Sequence, residues 1–82
     1  MSIELMRDKT TRPVYINIHE IQKVEEGYAD CQGRMYPYTD VIYGPIENAR
    51  CVRVVESANE IGRKIIEALK NNDADIIITE RK

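Results

Sequence analysis

The sequence of this 82-residue chain predicts an α+β fold: a small antiparallel sheet of about five strands with one helix packed on it. Three observations carry that prediction. The aliphatic residues are mostly isoleucine and valine, and phenylalanine and tryptophan are missing, a composition that favours strands. Short apolar runs recur through residues 1–55 between polar, glycine and proline punctuation, as strands joined by turns do. One later segment, 58–70, changes to helical spacing. Strands followed by a helix indicate an antiparallel sheet with the helix across one face.

The elements follow in order. Ile3, Leu5 and Arg7 alternate as a first strand, and 8–11 is a polar, turn-forming run. Residues 13–16 form a second strand with Pro13 at its start, where a missing donor is tolerated; the two read as a hairpin. Ile18, Ile21 and Val24 are spaced by three, which breaks alternation, so 17–20 reads as a single helical turn and 21–26 as a third strand. Gly27 opens a less regular stretch over 28–38 that contains Gly33 and Pro37. A fourth strand covers 39–43, Gly44-Pro45 begins a loop to Ala49, and a fifth strand covers 50–55.

The junction from Val52 to Leu69 is the strongest local signal. Ser57 followed by Glu60 is a capping box, in which each side chain accepts from the other residue's backbone N–H. Behind it Ala58, Ile61, Gly62, Ile65 and Leu69 form an apolar face flanked by Ile66 and Ala68, with Asn59, Glu60, Arg63, Lys64, Glu67 and Lys70 opposite. Glu56 and Glu60 sit at the positive end of the helix dipole and Lys70 at the negative end; Glu60 and Lys64 make an i,i+4 pair. Asn71 and Asn72 can take the left-handed conformation that ends a helix. Gly62 breaks the rule for helix interiors, where it costs about 1 kcal/mol relative to alanine. It marks either a close approach to a neighbouring strand or a groove for a ligand or second subunit. The run 75–79 reads as a sixth strand or as an arm that pairs elsewhere. Ile76, Ile77 and Ile78 would be an aggregation hazard as a bare edge, so they call for cover from the parent sheet or from another subunit, and a homo-oligomer is expected.

Length and charge bound the class. The chain reads as one domain, 1–82, without repeat or linker. Acidic residues number 14 against 12 basic, a formal charge of −2, which argues against a strong phosphate-binding surface. No run approaches the roughly 20 apolar residues of a membrane span. The start, Met1 to Asp8, lacks the basic and apolar regions of a secretory leader, so a cytoplasmic location is expected, with Cys31 and Cys51 as free thiols.

Chemistry is sparse. His19 is the single histidine, the serines are Ser2 and the capping Ser57, and no signature pairs His19 with either cysteine. His19, Glu20, Glu25, Glu26 and Asp30 lack the close Cys or His spacing of zinc sites, and no glycine-rich phosphate loop occurs. The expectation is a non-enzyme with neither cofactor nor metal. All tyrosines but Tyr15 lie between residues 28 and 43, interleaved with Arg34, Met35 and Pro37. Tyrosine offers large area with a polar tip and little entropy to lose, and is favoured at recognition surfaces. Tyr38 and Tyr43 also suit the roof of a small core. Arg34, Tyr36, Tyr38, Tyr43 and Gly62 are therefore the candidate partner-binding residues. A protein partner or a second copy is the first expectation. Single-stranded nucleic acid, using Arg34, Arg50 and Arg53 with the tyrosines, is a second, although alternation puts Arg50 and Arg53 on opposite faces. An oligomeric small-molecule sequestering protein, with its pocket near Gly62, is a third.

Tyr15-Ile16-Asn17, then Ile21, Val24 and Glu25, then Val52, Val54-Val55-Glu56-Ser57 and Glu60-Ile61 resemble the small flagellar motility proteins of the FlbD/SwrD type, and similar short bacteriophage proteins of unknown role. The resemblance covers two blocks of the chain; the segment between them is longer here than in that family. It implies a small non-enzymatic bacterial or phage protein and offers no catalytic residues.

Overall fold

The computed structural model describes residues 11–81. Five strands form one antiparallel sheet: β1 (Thr11–Asn17), β2 (Ile21–Cys31), β3 (Arg34–Tyr43), β4 (Arg50–Val54) and β5 (Asp75–Arg81), in the order β1-β5-β4-β3-β2. One helix, α1 (Ala58–Lys70), lies between β4 and β5 in the chain. The α+β class holds, and no helix among the described residues is long and apolar enough to cross a membrane. The strand expected through Ile3, Leu5 and Arg7 lies outside the described residues. The 75–79 segment is part of β5, inside the parent sheet, and its partner is β1, with Ile16 opposite Ile76 and Val14 opposite Ile78.

One face of the sheet carries the core. Alternation puts Val14 and Ile16 of β1, Ile76 and Ile78 of β5, Val52 and Val54 of β4, Val41 of β3 and Val24 of β2 on the side of α1. Val41, Ile61 and Ile78 are completely buried. Each such side chain contributes roughly 1.5–3 kcal/mol on burial. Ile77, one residue out of phase, faces the other way and is exposed.

Local signals behave as the sequence predicts. Asn17 caps a single 3-10 turn over Ile18–Glu20, its Oδ1 accepting from the His19 N–H at 2.8 Å. Both arms of the capping box form: Glu60 N–H donates to Ser57 Oγ at 3.2 Å and Ser57 N–H to Glu60 Oε1 at 3.0 Å. Asn72, at φ 59°, supplies the left-handed residue after the helix.

Three expectations are corrected. The stretch 28–38 is regular, forming the end of β2 and the start of β3, joined by Gln32 and Gly33 at φ 55° and 82°. Two central residues of positive φ are the signature of the tight hairpin turn that matches strand twist. On α1, Ala68 is buried and Leu69 is exposed, reversing the expected order. The small Ala68 lets the end of the helix sit close to β5, and the bulkier Leu69 turns outward. A methyl group at Gly62 would meet nothing within 4 Å among the described residues, so no strand approaches it.

The join between β4 and β5 is short. Val54 pairs with Glu80, and Val55 N–H donates to the Thr79 carbonyl at 2.9 Å. Beyond that point the chain leaves for α1, and the Glu56 carboxylate takes over the role of a strand. It accepts from Thr79 N–H at 3.0 Å and Thr79 Oγ1 at 2.9 Å. Lys64 Nζ bonds Glu56 at 3.1 Å and the Ile77 carbonyl at 2.6 Å, in place of the expected pairing with Glu60. Burial by itself raises the Glu56 pKa, but the donors from Thr79 and Lys64 outweigh it and hold the group below its ordinary value. With Glu56 drawn to β5, Glu26 of β2 supplies a carboxylate at the helix start, accepting from Ala58 N–H at 3.1 Å.

Candidate functional site

The hairpin of β2 and β3 is longer than the sheet it belongs to. The two strands pair from Ile21–Tyr43 out to Cys31–Arg34, whereas β3 pairs with β4 only over Thr39–Tyr43. Residues 27–38 therefore form a two-stranded arm that projects past the end of β4. A free ribbon of two strands is marginal in water, and this arm carries apolar groups on both sides. Tyr28 and Met35 point to the side of α1 but lie beyond the core, at 68% and 63% exposure. Tyr36 points to the helix-free side and is 47% exposed. Asp30 Oδ1 steadies the tip by accepting from Gly33 N–H at 3.1 Å.

At the root of the arm a stacked group is fixed on the helix-free face. Tyr38 faces Gly27 across the ladder, and a methyl group at Gly27 would lie 2.6 Å from the Tyr38 hydroxyl. Glycine at that position lets the ring lie flat over β2. The Arg53 guanidinium sits 4.0 Å from the centre of the same ring, an arrangement worth about 0.5–1 kcal/mol at an exposed site. Arg53 is held by two bonds to Asp40, Nε to Oδ1 at 2.8 Å and a terminal nitrogen to Oδ2 at 3.0 Å. The Arg53 bond holds the Asp40 carboxyl below its ordinary value against the opposing effect of burial. Beside it, burial and the Asp40 charge push the Cys51 thiol up, the reverse of what a nucleophilic cysteine needs.

Between the arm and the end of β5 lies an open concavity of about 390 Å³, lined by Ala29, Tyr36, Pro37, Tyr38, Arg53 and Arg81. It presents two tyrosine rings and two guanidinium groups. Arg81 makes no ion pair among the described residues.

The structure thus gathers some candidate residues and separates others. Arg34, Tyr36 and Tyr38 alternate along one side of β3, with Arg34 at the arm's tip. Tyr43 packs against the core at the far end of the same strand, and Gly62 is on α1, on the opposite layer. Arg53 joins the tyrosines, while Arg50 pairs in the ladder with Tyr43 on the other face. Both cysteines are free and exposed, and no cluster of His, Cys, Asp or Glu among the described residues is placed to hold a metal.

Sequence reasoning passed over Tyr28, Met35 and Arg81. The signal for the first two was present in the alternation Tyr28, Asp30 against Ala29, Cys31, but Gly27, Gly33 and Pro37 obscured it. Pro37 is compatible with β3 because β4 does not extend alongside that part of the strand. Nothing local points to Arg81, whose place depends on β5 lying next to β4.

Comparison with family models, curated proteins and solved structures returned no match. The fold and the site define an α+β sheet protein, covered by a helix on one face and extended by a two-sided hairpin arm.

Proposed function

We propose that this chain acts by binding another protein, without catalysis of its own, and that the β2–β3 arm is the contact. The carrying observation is the arm itself: a ribbon projecting past its sheet, with Tyr28 and Met35 bare on one side and Tyr36 on the other. Tyrosine, methionine and arginine are the residues enriched at interface cores. A groove or cleft that takes the arm would cover both sides at once. Arg34 at the tip and Arg81 at the root favour an acidic rim on the partner. The resemblance to small FlbD/SwrD-type and phage proteins suggests a bacterial or phage setting for this reading.

The test is site-specific photo-crosslinking in the native host. Tyr36→p-benzoylphenylalanine and Tyr28→p-benzoylphenylalanine should each trap the same discrete partner. The same substitution at Ile46, exposed on a distant loop, should not trap it. Equal adducts from Ile46, or none from the arm, would overturn the reading.

A second reading has one observation in its favour. Arg34, Tyr36, Tyr38, Arg53 and Arg81 all lie on the helix-free face, an arrangement suited to stacking bases and holding phosphates. Against it stand Asp40, which offsets the Arg53 charge, and the net charge of −2. Steep loss of oligonucleotide binding with added salt would favour this reading over a protein partner.

A further inference from the structure

Resting on the reading of the arm as a contact, we infer that the concavity at its root is a recognition pocket for a carboxylate, and that its occupant is an aspartate or glutamate side chain of the partner protein set among apolar neighbours. The charge left over on the helix-free face carries the inference. Glu25, Asp40 and Arg53 lie in one row across β2, β3 and β4. Both carboxylates of that row are already matched: Glu25 takes Lys23 at 2.9 Å, and Asp40 takes Arg53 at 2.8 Å. Val54 pairs with Glu80, so Arg81 falls beside Arg53 in the same row and on the same face. Neither Arg81 nor Arg34 makes an ion pair among the described residues. The chain has a formal charge of −2, yet the end of the sheet that bears the concavity keeps unspent positive charge, with Arg81 on its wall.

The geometry selects the ligand. Arg53 is held from two directions, by its paired bonds to Asp40 and by the Tyr38 ring, whose centre is 4.0 Å from the guanidinium carbon. Those bonds use Nε and one terminal nitrogen, so the other terminal nitrogen keeps its donors, and the side chain is 46% exposed. A guanidinium already fixed by one carboxylate loses little freedom in meeting another. Arg81 supplies the charge that Asp40 cancels at Arg53, and charge-assisted bonds to a carboxylate are the strong kind. Ala29, Pro37 and the Tyr36 ring complete the walls and give apolar neighbours of an acidic residue a surface to cover. At about 390 Å³ the space is near the lower end of ligand pockets, the scale of a side chain with its flanks. A phosphate backbone repeats its charge at every nucleotide and needs a track of unmatched cations, and Asp40 interrupts that track. A partner that takes the arm in a groove passes its chain along the root, so the group delivered there is an internal side chain and not a chain end.

The experiment is an amide-shift NMR titration of the full chain with three peptides: N-acetyl-Val-Glu-Leu-amide, its glutamine counterpart, and the glutamine peptide with a free carboxyl terminus. The glutamate peptide should saturate with a dissociation constant on the order of 1 mM, moving the amides of Tyr36, Arg53 and Arg81. The glutamine peptide should bind at least about tenfold more weakly, having lost the charge-assisted bonds, and the free terminus should not restore binding. Arg81→Gln should weaken the glutamate peptide by about the same factor. Arg81→Lys keeps the charge and should recover part of the loss; the rest of the spectrum reports that both variants fold. Equal binding of the glutamate and glutamine peptides, wild-type affinity in Arg81→Gln, recovery by the free terminus, or tighter binding of an oligothymidylate than of the glutamate peptide would each overturn the inference. In the host, Arg81→Gln should reduce the adduct trapped from Tyr28→p-benzoylphenylalanine by more than about fivefold. An undiminished adduct overturns the pocket while upholding the arm as the contact. Absence of any adduct from the arm overturns the arm reading, and the peptide titration then decides by itself whether the pocket takes a carboxylate.

Discussion

The β4–α1–β5 junction and the β2–β3 arm are built on opposite principles. At the junction no buried polar side-chain atom among the described residues lacks a partner. Ser57 and Glu60 cap each other, Glu26 adds a carboxylate at the helix start, and Glu56 holds Thr79 and Lys64. The core beneath it is aliphatic and closed. In the arm, Tyr28, Met35 and Tyr36 stand in solvent on a ribbon two strands wide. Its one well-fixed group, Tyr38 with Arg53 and Asp40, is at the root, where the sheet begins. The contrast teaches that the junction is organised for folding, whereas the outer arm carries side chains that folding does not use.

Substitutions sharpen that contrast. The largest effect is expected at Glu56, because its removal leaves Thr79 N–H and the Lys64 ammonium without their acceptor. Glu56→Ala should cost about 3 kcal/mol in urea denaturation; a loss below about 0.5 kcal/mol would mean that water replaces the carboxylate freely. The same group gives the junction a pH signature. Folding lowers the Glu56 pKa from its ordinary 4.5. Its stabilisation is therefore complete above that value and disappears as the pH falls through the lower, folded-state pKa. Asp40, lowered from 3.8, acts in the same sense over a more acidic range. A melting-temperature profile of Glu56→Gln should show a flatter acid limb than the wild type.

Next in size are two changes of about 1 kcal/mol. Ser57→Ala removes the cap acceptor for Glu60 N–H and should lower stability by about that amount. Gly27→Ala forces the Tyr38 ring off β2 and away from Arg53, with a similar cost. It is checked by loss of the ring-current shift on the Arg53 side chain in the NMR spectrum. The smallest effect belongs to the outer arm: Tyr28→Ser, Met35→Ser and Tyr36→Ser combined should change stability by less than about 1 kcal/mol while abolishing the crosslinked partner. If the triple variant unfolds, the arm is structural and the contrast fails.

Much of this was legible in the chain. The capping box, the 58–70 helix and its left-handed exit at Asn72, the turn at 17–20 and the strand at 39–43 follow from residues within four positions of one another. Of the site, Arg34, Tyr36 and Tyr38 could be named from the run of tyrosines. The arm could not be recognised as an arm, because Gln32-Gly33 is a weak hairpin signal and Gly27 looks like a break. Gly27 is instead the seat of Tyr38, a residue eleven positions away in the ladder.

By itself, then, the sequence determined the elements whose energy is local: hydrogen bonds and side-chain contacts that close within one turn of helix or one alternation of strand. Tertiary structure alone decided which strands meet. It placed β5 between β1 and β4, ended β4 early enough to leave the arm projecting, and brought Thr79 to Glu56 across 23 residues. The physical reason is that strand order is set by how the valine and isoleucine faces close over α1. Many pairings satisfy the same alternation, and only the assembled core distinguishes among them.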